Sequence, residues 1–134
     1  MLIADLLALP TSLSKAARFN ILGGYFYLVS GALLLFWPEA VQTLFRERDF
    51  VGDEASLIRV IGMALAVVGW LYLFGSRSGA RQVVAASVVD RLSLVPFTLV
   101  PLALMGVFPK LLLSVGLIDP ALGLVAWMLM RRET

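Results

Sequence analysis

Asp90, Arg91 and Asp119 stand out in this chain because each lies inside a run of apolar residues. At the centre of a bilayer an ionisable side chain costs about 2.5 to 3.5 kcal/mol on insertion scales, so it is kept where it pairs inside a bundle or serves a function. Arg59, near the start of another apolar stretch, is the fourth candidate. Together these two carboxylates and two guanidinium groups make a formally neutral quartet, provided the helices carrying them bring them to one depth. Such a group supports two kinds of chemistry. It can sit beside the polar part of an apolar or amphipathic ligand, or Asp90 or Asp119 can accept a proton in a membrane enzyme or proton-coupled carrier. A third reading is purely structural, an ion pair within an accessory subunit.

Depth can be counted along the helices. At 1.5 Å per residue, Asp90 and Arg91 lie roughly 13 and 15 Å beyond Arg81, and Asp119 lies roughly 18 Å before Arg131. Arg59, measured from Gly75, starts near roughly 24 Å, from where its long side chain either descends toward Asp119 or rises to water. A competing register starts the third span at Leu92, which puts Asp90 and Arg91 at the interface and makes 76–89 a surface helix. That register leaves Leu92 to Phe108 only about 25 Å long, short for a bilayer core of about 30 Å, so the buried register is preferred. Asp119 is the firmer case, since apolar residues flank Asp119-Pro120 on both sides and the proline frees a nearby backbone carbonyl.

The elements that must hold these residues follow from composition. The chain has 134 residues, 60% of them hydrophobic, and a mean hydropathy of +0.94, against about 45–50% apolar content in a soluble domain. Spans at about 19–37, 57–74, 80–105 and 111–130 use most of the length, so the expected class is all-α, a single transmembrane domain with four membrane-crossing helices in an up-down bundle. Pro96 and Pro101 are expected to bend the third span. Segment 1–17 reads as a short amphipathic helix, with Leu2, Ile3, Leu6 and Leu9 at helical spacing and no basic leader before them, and so not as a cleaved signal. The connection from Pro38 to Ser56 is polar, and Val41, Leu44 and Phe45 fit one face of a surface helix within it. Trp70, Tyr72 and Phe74 are placed at the membrane interface by the aromatic-belt rule.

Charge and residue counts remove several function classes. Net charge is +2, too small a surplus for a nucleic-acid surface. Cysteine and histidine are both absent, which removes thiol redox chemistry, His-ligated haem and the usual zinc sites. No metal site and no cofactor are expected, and Gly23-Gly24 and Gly75 to Gly79 lack the Lys and the strand context of a phosphate loop. Lys15, Arg18, Arg77, Arg81, Arg131 and Arg132 share one side after four crossings, which predicts cytoplasmic termini. Glycines recur seven apart, at Gly24 and Gly31, Gly62 and Gly69, and Gly116 and Gly123, so each pair shares a helix face where a neighbouring backbone can approach.

The stretch from Arg18 to Gly31, Ile58 to Gly62, Gly69 to Tyr72, the polar turn at Arg77 and the embedded Asp90 and Asp119 resemble the DoxX-like and BphX-like small membrane proteins of bacteria. The resemblance covers most of the chain and implies a four-helix bundle in the bacterial inner membrane. Some DoxX-like proteins are associated with quinone-linked or thiol oxidation, and the absence of cysteine argues against the thiol branch here. No catalytic residue carries over. The favoured expectation is a non-enzymatic membrane protein that contacts membrane lipid, holds a hydrophobic small molecule such as a lipid or quinone beside Arg59, Asp90, Arg91 and Asp119, and packs against itself or a partner membrane protein.

Overall fold

The computed structural model describes residues 2–8 and 12–133, and these form helices with no strand among them. A short helix α1 (Leu2–Leu7) precedes α2 (Lys15–Phe36), the first of four helical stretches long and apolar enough to cross a membrane. Then come a one-and-a-half-turn helix α3 (Ala40–Phe45), the second span α4 (Glu54–Arg77), a third span divided into α5 (Arg81–Leu92) and α6 (Leu94–Leu104), and the fourth span α7 (Pro109–Arg132). The protein is a small polytopic membrane bundle. Leu2 to Leu7 are helical as the spacing predicts, whereas Leu9 and Pro10 fall outside the described residues.

The spans run past the apolar windows because polar residues close their ends. Ser14 accepts a hydrogen bond from the Ala17 amide at 3.0 Å and starts α2 before Phe19. At the other end of the sequence Glu133 accepts from the Ala16 amide at 3.1 Å, so the start of the first span and the end of the fourth lie together. Arg81 donates to the Met130 carbonyl at 3.0 Å, where cationic charge suits a helix C-terminus. The second span likewise continues beyond Phe74 to Arg77, and the turn is made at Gly79, with φ at +77°.

The first and second spans form the tightest pair, along the glycine faces. A Cβ on Gly24 would lie 2.8 Å from the Gly69 carbonyl oxygen, and one on Gly31 would lie 2.5 Å from that of Gly62. Backbone meets backbone there, so this packing depends on the missing side chains. Gly116 and Gly123 turn instead toward the third span, facing Leu99 and Val100 and then Arg91 and Leu92.

The third span breaks at Ser93, not at a proline. The cause is Pro96, which lacks the amide hydrogen that would bond Leu92 and whose ring crowds that same carbonyl. The Ser93 hydroxyl donates to the Val89 carbonyl at 2.6 Å and its amide caps the end of α5. Pro101, expected to bend the span as well, lies inside a continuous α6. The divergence matters for the packing: α5 touches α4, while α6 packs along α7 and leaves α4.

At the far end, the connection is stitched across the bundle. Arg48 makes two hydrogen bonds to Glu54, at 2.7 and 2.8 Å, and its guanidinium lies 4.6 Å from the centre of the buried Phe108 ring. Glu47 accepts from the Leu111 amide at 2.9 Å in the first turn of α7. Of the surface-helix face, Val41 is buried and Phe45 half-buried, whereas Leu44 turns outward.

Candidate functional site

Arg91 forms the centre of the buried polar group. It is fully buried, at 0% exposure, near the end of α5, and its depth is possible because two glycines make room. A Cβ on Gly23 would come within 2.7 Å of the guanidinium, and one on Gly123 within 2.9 Å of the Arg91 Cβ. The guanidinium carbon lies 4.7 Å from the centre of the Tyr72 ring and 5.3 Å from that of Tyr27, within the range where a ring face attracts a cation. The two rings meet edge to face at 5.7 Å.

Asp119 supplies the counter-charge. Its Oδ1 lies 3.6 Å from Arg91 Nε, close enough to pair but beyond hydrogen-bonding distance. Asp90, half-buried, accepts a hydrogen bond from the Tyr72 hydroxyl at 2.8 Å. All three Arg91 nitrogens, Asp119 Oδ1 and the Tyr27 hydroxyl are buried without a hydrogen-bond partner. Orphaned polar atoms are rare in packed interiors and here they concentrate at one point.

Of the four residues expected to cluster, the structure therefore brings Asp90, Arg91 and Asp119 together and leaves Arg59 out. Arg59 is exposed and donates to the Leu35 carbonyl at 2.8 Å, near the last turn of α2. Its side chain rises away from Asp119 because a free helix-end carbonyl is within reach and costs no burial of charge. Arg91 lies inside the bundle, packed among its helices. Tyr72 also departs from the aromatic-belt placement: it faces inward onto Asp90, four residues before Ser76, whose buried side chain belongs to the same helix face.

Sequence reasoning missed Tyr27, Tyr72 and a second polar group. Asn20, at 0% exposure, donates to Ser76 at 2.7 Å and accepts from Ser87 at 3.0 Å, joining the first three spans near their basic end. An amide inside the first apolar run was the available signal for Asn20.

Beside the charged group lies a cleft. Where α6 leaves α4, a cavity of about 630 Å³ opens between the second and third spans, walled by apolar residues such as Ile61, Leu65, Val95 and Leu99. Tyr27, Tyr72, Asp90 and Asp119 line it as well, and Glu54 does so beside its Arg48 partner. A second cavity of about 290 Å³ lies between α2, α3 and α7, and Tyr27, Leu65 and Asp119 line both. Arg91 is behind this wall, so the charged groups that face the space are carboxylates. Among the described residues no cluster of three or more metal-binding side chains occurs. Comparison with family models, with curated proteins and with solved structures gives no match.

Proposed function

We propose that this membrane protein holds an apolar or amphipathic small molecule, a lipid or a quinone, in the cleft between its second and third spans, and that it catalyses no reaction. The supporting observation is the cleft itself: about 630 Å³ of mainly apolar wall converging on Asp90, Asp119, Tyr27 and Tyr72. That volume falls in the range of ligand sites, about 300–1,000 Å³, and a few polar groups on an apolar wall are what orient a ligand. The reading extends to a DoxX-like or BphX-like protein of the bacterial inner membrane with cytoplasmic termini, supported by the basic residues Lys15, Arg77, Arg81 and Arg131 at one end of the spans. A role as an accessory subunit, in a homo-oligomer or beside a partner membrane protein, is compatible with it. The second reading, a proton-coupled carrier or membrane enzyme, draws on Asp119, which borders both cavities.

Native mass spectrometry of the full chain released from mild detergent tests the binding reading. Wild type is expected to retain a lipid or quinone that Leu65→Trp, which places a ring between the two cavities, loses while keeping its helicity. Equal retention by both proteins would refute it.

A further inference from the structure

The charges within the spans do not balance once Arg59 is placed. Among the described residues, Asp90 and Asp119 have Arg91 as their cation at this depth, because Arg59 bonds the Leu35 carbonyl toward the far end and Glu54 is paired with Arg48. With both carboxylates ionised, the formal sum for Asp90, Arg91 and Asp119 is −1, in a region where an uncompensated charge is costly. Arg91 is sealed behind the wall, whereas Asp90 and Asp119 line the cavity.

A second observation points to a ligand and not only to an acidic patch. Tyr27, 6% exposed, lines the cavity and its hydroxyl has no hydrogen-bond partner; Asp119, also 6% exposed, lines it too, with Oδ1 on the side of Arg91. A phenol oxygen and a carboxylate both accept hydrogen bonds, so a donor head group suits this end of the cavity.

We infer that the cleft selects amphiphiles with a cationic, hydrogen-donating head, of the long-chain ammonium class, whose N–H groups bond Asp119, Asp90 and the Tyr27 oxygen while the apolar chain lies against Ile61 and Leu99. The inference rests on the binding reading above and specifies the head group that reading leaves open. An ammonium brings the formal sum to zero, a sulfate or carboxylate head brings it to −2, and a neutral head leaves it unchanged.

The test compares dodecylamine, dodecyl sulfate and dodecanol, which share one chain length, for saturable binding to the full chain in phosphatidylcholine nanodiscs, with empty nanodiscs subtracted. Dodecylamine is expected to bind at least tenfold more tightly than either comparator. Asp90→Asn, which keeps an oxygen to accept from Tyr72, and Asp119→Asn should each erase most of that preference, and Leu65→Trp should weaken all the probes. Because Asp90→Asn leaves the Arg91 to Asp119 pair intact, it remains informative if Asp119→Asn fails to fold. Equal binding of the three probes, lost in Leu65→Trp, would overturn the head-group inference and leave the cleft reading standing. Binding of all three that Leu65→Trp does not alter would overturn both.

Discussion

Removing the Asp119 charge gives the sharpest test of the buried group. With 3.6 Å between Arg91 Nε and Asp119 Oδ1, the attraction between unit charges is about 4.6 kcal/mol at an effective dielectric of about 20. Much of that is offset by the desolvation of both groups, which is why breaking such a pair from one side is costly and replacing both sides is not. In Asp119→Asn the guanidinium keeps Tyr27, Tyr72 and the neighbouring Asp90, whose charge still compensates it, so a loss of about 1.5 kcal/mol is expected. The double variant Arg91→Met with Asp119→Leu should recover most of that loss. A loss of that size is at the upper end for a membrane protein, where the unfolded chain also finds partners. Reversible unfolding in mixed micelles of increasing sodium dodecyl sulfate, followed by the fluorescence of Trp37, Trp70 and Trp127, reads these differences. A loss below about 0.5 kcal/mol in Asp119→Asn, or a double variant no better than the single one, would refute the pairing argument.

Two further outcomes check the frame around that group. Gly31→Leu should separate the first and second spans, since even a Cβ there would lie 2.5 Å from the Gly62 carbonyl oxygen; a loss of at least about 2 kcal/mol is expected in the same assay, and a neutral result would contradict the close backbone packing. Pro96→Ala should straighten the third span by restoring the amide that Leu92 lacks, moving the far end of α6 by about 5 Å if the kink exceeds about 20°. Spin labels on cysteines introduced at Val60 and Leu104, in a chain that has no cysteine of its own, would show the distance shorten; an unchanged distance would locate the cause of the break elsewhere.

The spans were legible because a bilayer imposes a length, and the glycine faces were legible because a seven-residue interval is nearly two full turns. Depth was legible too: counting from Arg81 and Arg131 put Arg91 and Asp119 at similar levels, and they lie 3.6 Å apart. Rotation about the helix axis was not. Successive residues point about 100° apart, so counting could not decide that Arg91 would be sealed inside and Asp90 turned to Tyr72. Nor could it follow a long side chain: Arg59 had two destinations and took the carbonyl of Leu35. Tyr72 was misplaced because a rule about where aromatic residues collect ignores what a particular phenol can bond. The break at Ser93 came earlier than the prolines suggested, since a proline disturbs the carbonyl four residues before it.

The parting of α4 and α6 would also determine how the proposed site is filled. A gap in the side of the bundle would be reached by diffusion within the leaflet, so that a greasy molecule would never need to cross water to find it. Occupancy would then track the mole fraction of that molecule among the surrounding lipids, so that even a modest intrinsic affinity suffices for something the membrane has already concentrated.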